Sequence, residues 1–125
     1  MNREIKFRAW DMVIGKMINW EDLLEKHNLN AIFEYGYDLD LMRYTGLKDK
    51  NGVEIYEGDI VIAKESSDKW WHTSQYPMEI IYNTEWGGYM WKDIYGREDA
   101  ICERITDTFE VIGNIYENPE LLEVE

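Results

Sequence analysis

Cysteine occurs once in these 125 residues, at Cys102, and histidine twice, at His27 and His72. One thiol excludes an internal disulfide and a thiolate metal cluster within one chain, and two histidines exclude a histidine-rich metal site. Neither histidine has a serine or cysteine partner at a recognised catalytic spacing. Cys102 reads as an inert, partly buried residue. Glycine-rich phosphate loops are missing too, since Gly87-Gly88 stands alone without a following Walker lysine. The longest apolar run is Ile60-Val61-Ile62-Ala63, far short of the roughly 20 residues that a membrane-spanning helix requires. The N-terminus carries Arg3, Glu4 and Lys6 in place of a signal-peptide core. These absences predict a cytoplasmic protein with no membrane contact, no cofactor, no metal and no catalytic residue.

Basic residues are scarce relative to acidic ones, 13 against 26, for a formal net charge of −13. Such a surface repels a phosphate backbone and disfavours direct nucleic-acid binding. Residues 98–125 hold nine carboxylates (Glu98, Asp99, Glu103, Asp107, Glu110, Glu117, Glu120, Glu123, Glu125) against Arg104 alone. This acidic stretch is a solvated face or a patch that meets a basic partner. Hydrophobic residues make up 45% and charged residues 31%, the balance of a soluble folded chain. The length fits a single domain over 1–125.

The local pattern is mostly β with short helices. Ile5, Phe7 and Ala9 alternate with Lys6, Arg8 and Trp10, a period-two strand signal. A turn at Asp11–Gly15 leads to a return strand at Lys16–Asn19. Asn19 caps a predicted helix over Trp20–His27, with Leu23, Leu24 and His27 on one face. Ala31–Phe33 is a candidate short strand. Leu39–Leu47 alternates, and Asp49-Lys50-Asn51-Gly52 follows with the Asn-Gly hairpin signal, in which both residues tolerate positive φ. Val53–Tyr56, Ile60–Lys64, Met78–Tyr82, Tyr89–Lys92 and Phe109–Tyr116 are further strands. Ile60–Lys64 is apolar on both faces and belongs at the centre of the core. Glu98–Ile105 reads as two helical turns because Ile101 and Ile105 are four apart. Asn118-Pro119-Glu120 starts a short C-terminal helical turn. Many short strands with frequent turns predict a small antiparallel barrel or sandwich.

Three blocks carry a resemblance that spans nearly the whole chain. They are Phe7-Arg8-Ala9-Trp10-Asp11, the run from Leu41 through Thr45-Gly46-Leu47-Lys48-Asp49 to Val61, and Ile112-Gly113-Asn114-Ile115-Tyr116-Glu117-Asn118-Pro119-Glu120-Leu121-Leu122. With them the chain resembles the YopX family, small proteins encoded in bacteriophages and prophages. The resemblance implies an SH3-type barrel core and carries no known catalytic motif. Glu57-Gly58-Asp59-Ile60-Val61 looks like a Gly-Asp turn of such barrels: glycine permits the bend and aspartate accepts a backbone N–H.

Candidate sites reduce to charge pairs and aromatics. Asp38 and Asp40 would share one face of a strand, which fits a charged, solvated edge better than a metal site. The Asp49 turn fails as a calcium loop, because Val53 cannot ligate at the fifth position. Six Trp, nine Tyr and three Phe are present, with Trp70, Trp71, Tyr76, Trp86, Tyr89 and Trp91 in one short stretch. Trp86 and Trp91 are assigned to the core. Trp70, Trp71 and Tyr76, on a polar loop, are the candidate anchors of a protein interface, with Glu57 and Asp59 in a neighbouring turn. The function expected is protein binding without catalysis, the partner being a second copy (a homo-oligomer) or a basic host protein. The alternatives are an acidic nucleic-acid mimic that inhibits a host DNA-binding protein, and weak nucleic-acid binding on an aromatic barrel face.

Overall fold

The structure, a computed structural model, describes residues 5–26, 38–63 and 73–123. It divides into two compact units, Met1–Tyr44 and Thr45–Glu125. The fold is mostly β, with antiparallel sheets and short helices. Ala31–Phe33, His27 and His72 lie outside the described residues.

In the first unit, β1 (Phe7–Asp11) pairs with β2 (Lys16–Ile18) on one side and with β3 (Leu39–Lys48) on the other. Helix α1 (Trp20–Lys26) follows β2. Asn19 caps it as expected, its Oδ1 accepting the Asp22 N–H at 2.8 Å. Ala9 and Leu23 are fully buried, with Phe7, Ile18, Trp20, Leu39 and Leu41 packed around them. The Phe7 and Trp20 rings meet at 5.9 Å. Leu24 departs from the expected face and is exposed, whereas its neighbour Leu23 is fully buried. Along β3 burial does not keep one parity: Met42, Tyr44 and Thr45 are buried while Arg43 is exposed.

The second unit opens with the end of β3, which pairs with β4 (Glu54–Tyr56). Its main sheet has the order β8-β7-β6-β5-β9 and curls into a half-barrel. The strands are β5 (Asp59–Ala63), β6 (Met78–Asn83), β7 (Gly88–Asp93), β8 (Glu98–Ala100) and β9 (Phe109–Asn114). A four-strand meander thus ends in a short helix, α2 (Glu103–Thr106), after which the last strand returns beside the first. That is the strand order of an SH3-type barrel. β5 lies inside the sheet, with Ile60 and Val61 fully buried, as its two-faced apolar pattern predicted. Val61, Met78, Ile80, Trp91, Phe109 and Ile55 form the core, and Ile101, Ile105 and Val111 pack against it.

The expected helix over Glu98–Ile105 is corrected. Glu98–Ala100 is strand β8, in register with Lys92, Trp91 and Met90 of β7, and only Glu103–Thr106 is helical. Pairing with β7 overrides the weak helical pattern, while Ile101 and Ile105 both still reach the core. The Pro119–Leu122 segment is a 3-10 turn.

Four hairpin loops share one construction: an Asx residue opens the loop and a positive-φ glycine closes it. Asp11 and Gly15, and Asn83 and Gly87, are four apart; Asp49 and Gly52, and Asp93 and Gly96, are three apart. In the shorter pair the wiring is the same. Asp49 N donates to Val53 O and Gly52 N to Asp49 O, while Asp49 Oδ1 accepts Asn51 N and Val53 N. Asp93 repeats this with Arg97, Gly96 and Tyr95. Asn51 does not adopt the positive φ that the Asn-Gly pair suggested; Gly52 alone does, at +80°. The loop is therefore a type I turn closed by a glycine bulge. At Glu57-Gly58 the expectation holds: Gly58 has φ +84° and Asp59 Oδ2 accepts the Tyr56 N–H at 2.8 Å.

Glu79 and Lys92 face each other across β6 and β7. Partial burial raises the Glu79 carboxyl above the usual 4.5, and the Lys92 ammonium opposes that rise without cancelling it. A raised carboxylate pKa in the folded state costs stability once the group ionises, and the cost is absent below the unfolded pKa. Glu79→Gln should therefore melt above the parent at pH 7, and the two should converge below about pH 4.5. Coincident melting curves at pH 7 would contradict this.

Candidate interaction surface

The β6–β7 hairpin carries aromatic side chains at both ends. At its tip, Tyr82 and Tyr89 are a cross-strand pair whose rings meet edge to face, 5.1 Å apart. Trp86 sits in the connecting loop, fixed by its own N–H to Asn83 Oδ1 at 2.8 Å. Its six-membered ring lies over Gly88, where a Cβ would collide with it. The indole is nonetheless 60% exposed and Tyr82 43% exposed. Trp86 is thus not a core residue, contrary to the sequence expectation, whereas Trp91 is 1% exposed and central to the core. Parity decides: Trp91 opposes Ile80 on the inner face of the sheet, and Trp86 is in the loop.

At the other end, Tyr76 and Tyr95 pack edge to face at 4.8 Å. Buried Asp93 organises them both. Its Oδ1 accepts Tyr95 N at 3.0 Å, and its Oδ2 accepts Ser74 Oγ at 2.7 Å. Ser74 Oγ in turn accepts Tyr76 N at 3.1 Å. Burial pulls the Asp93 carboxyl up, but hydrogen bonds from Ser74, Arg97 and Tyr95 and the Arg97 charge outweigh it, so it titrates below ordinary aspartate. This interaction contributes stability above the usual 3.8 that is lost as pH falls through the lowered value. Tyr95 is exposed and Tyr76 half-buried.

The other sequence-predicted site residues separate. Trp70 and Trp71 lie outside the described residues. Glu57 is half-buried, and Asp59 is 1% exposed and holds its own turn, so it cannot serve as a surface contact. Asp38 and Asp40 are exposed, the latter opposite Trp10. Cys102 is exposed and not partly buried, since it precedes α2 on the outside of the core. Glu98, Glu103, Asp107, Glu117, Glu120 and Glu123 are exposed, with Asp99 and Glu110 half-buried. Sequence reasoning missed the first hairpin's apolar tip: Met12, Val13 and Ile14 are all exposed. Asp11 Oδ1 holds that loop through Val13 N and Ile14 N. The signal was three consecutive aliphatic residues inside a recognisable turn.

Both oxygens of the Asp49 carboxylate are occupied by backbone donors, Asn51 and Val53 on one and Val111 on the other. Among the described residues no group of three or more His, Cys, Asp and Glu side chains is placed to hold a metal ion. No described helix is long and apolar enough to cross a membrane. What the surface offers chemically is exposed aromatic rings on a strongly acidic chain.

The crystal structure of protein EF1440 from Enterococcus faecalis is similar to this chain at 30% identity and a TM-score of 0.68, covering 98% of this chain and 100% of that one. The crystal structure of yopX from Bacillus subtilis is similar in fold, with a TM-score of 0.56 and 23% identity over 96% of this chain and 97% of that one. No curated protein matches. A family model described as YopX protein matches residues 6–123. The chain belongs to the YopX family.

Proposed function

We propose that this is an accessory protein of a phage or prophage that works in the host cytoplasm by binding another protein, without catalysis. The observation that carries this reading is the solvent exposure of Trp86 on a loop whose backbone is held by Asn83. Large aromatics with pre-set backbones are the side chains that anchor protein interfaces. Tyr82 and Tyr95 add exposed ring area on the same hairpin and its following turn. Charge selects between the expected partners: two copies at −13 each repel one another, whereas a basic host protein is attracted.

The test is capture from nuclease-treated host lysate by the tagged chain and by Trp86→Ala. The expected result is a protein partner retained by the parent and depleted at least about fivefold with the variant, the loss typical of an interface anchor. Equal capture by both, or none by either, would refute the proposed surface.

A second reading, mimicry of nucleic acid by carboxylates, is favoured by the exposure of Glu98, Glu103, Asp107, Glu117, Glu120 and Glu123. It requires the captured partner to be a DNA-binding protein that is released by DNA competition. Binding unaffected by DNA would exclude it.

A further inference from the structure

We infer that the tip of the β6–β7 hairpin takes an arginine-rich segment of its partner, a guanidinium group stacking on the Trp86 indole. This rests on the protein-binding reading above and specifies the chemistry of the ligand. Three observations converge on it.

The first is the state of the ring. Trp86 is anchored at its backbone by Asn83 and backed by Gly88, yet most of its surface is open. A ring held in place loses little freedom when a ligand settles on it. Indole is also the side chain that attracts a cation most strongly over its face.

The second is the charge around it. Glu85 precedes Trp86 in the loop and is exposed. Ile101 N donates to Tyr89 O at 3.3 Å, and exposed Glu103 follows two residues later. Among the described residues of β6, β7, β8 and α2 the bases are Arg104, on α2, and Lys92, which lies three residues beyond Tyr89 along β7 with Glu79 and Glu98 in register on either side. The unit that carries the hairpin, Thr45–Glu125, has 18 acidic against 7 basic residues, a net of −11. A cationic ligand is the complementary one, and a phosphate-bearing ligand is opposed.

The third is the kind of cation. Guanidinium is planar and weakly hydrated, so it stacks on an aromatic face while its edge donates to a carboxylate. Ammonium is a compact, strongly hydrated charge that gains less from a ring. A ring with a neighbouring carboxylate therefore prefers arginine to lysine, whereas acidic surface alone does not distinguish them so.

The experiment is fluorescence anisotropy of labelled nona-arginine and nona-lysine peptides with the full chain, at about 150 mM salt so that distant charges are screened. The parent is expected to bind nona-arginine at least about fivefold more tightly than nona-lysine. Trp86→Ala should remove that preference and Trp86→Phe should retain part of it. Trp86 is exposed, so both variants are expected to fold, with unfolding midpoints close to the parent's. Equal affinity for the two peptides, a preference unchanged in Trp86→Ala, or no binding of either peptide would overturn the inference. Lysate capture run in parallel separates the two levels. Trp86-dependent capture without an arginine preference removes the ligand assignment and keeps the binding role; loss of both removes both.

Discussion

Replacing Asp49 with alanine should lower the unfolding free energy by about 3–4 kcal/mol, a large fraction of the stability of a domain this size. The residue is 4% exposed, and its carboxylate is the acceptor for three backbone donors. Asn51 N and Val53 N reach Oδ1 at 2.8 and 2.9 Å; Val111 N reaches Oδ2 at 2.9 Å across 62 positions of sequence. Asn51 and Val53 are exposed, so water can replace their acceptor at modest cost. Val111 packs against the core, where an orphaned N–H carries most of its desolvation penalty. Asp49→Asn keeps one acceptor oxygen and should cost about half as much. Denaturant unfolding measures both, and amide exchange at Val111 reports the specific bond. An alanine variant within about 1 kcal/mol of the parent would contradict the assignment of this carboxylate as a staple between the hairpin and β9.

Two tryptophans give the second large effect, because the same substitution should behave oppositely at each. Trp91→Ala is expected to cost about 3–5 kcal/mol, the usual range for emptying a large aromatic site. Trp91 is 1% exposed and packs with Val61, Met78, Ile80 and Phe109, side chains of β5, β6 and β9 that are held by their own strand pairing and cannot all close on the void. Trp86→Ala, at an exposed loop position, should stay within about 0.5 kcal/mol. Paired denaturation curves with near-ultraviolet circular dichroism check both. Similar small changes at the two positions would mean that Trp91 does not organise the core.

These positions also show what could be read from sequence. The turns at Asp11–Gly15 and Asp49–Gly52 were legible, because the chemistry of a turn is local: one side-chain acceptor and one glycine suffice. The inner strand β5 was legible for the same reason, as its apolar residues occur on both faces. Burial of single aromatics was not. Trp86 and Trp91 look alike in composition, and only the register of β6 against β7 assigns one to solvent and the other to the core. Asp59 was read both as the acceptor of its turn, which it is for Tyr56 N, and as a surface contact, which its burial excludes. Glu98–Ala100 has poor strand propensity and becomes a strand through pairing with β7, a tertiary contact that no local window contains. Of the candidate surface, Tyr76 was named from sequence, but its partner Tyr95 and the buried Asp93 that sets both were not.

The half-barrel has two outer strands, and each is closed to addition in a different way. Along β9 the Asp49 turn occupies the rim, with Lys50 N donating to Phe109 O and Asp49 accepting Val111 N. At the opposite rim β8 is three residues long and carries Glu98 and Asp99. Unpaired strand edges are the templates on which chains assemble into cross-β aggregates, and short charged strands or covering loops suppress that growth. The half-barrel therefore has protection against edge-to-edge aggregation that its aromatic content does not suggest, and on the β9 side that protection depends on one aspartate.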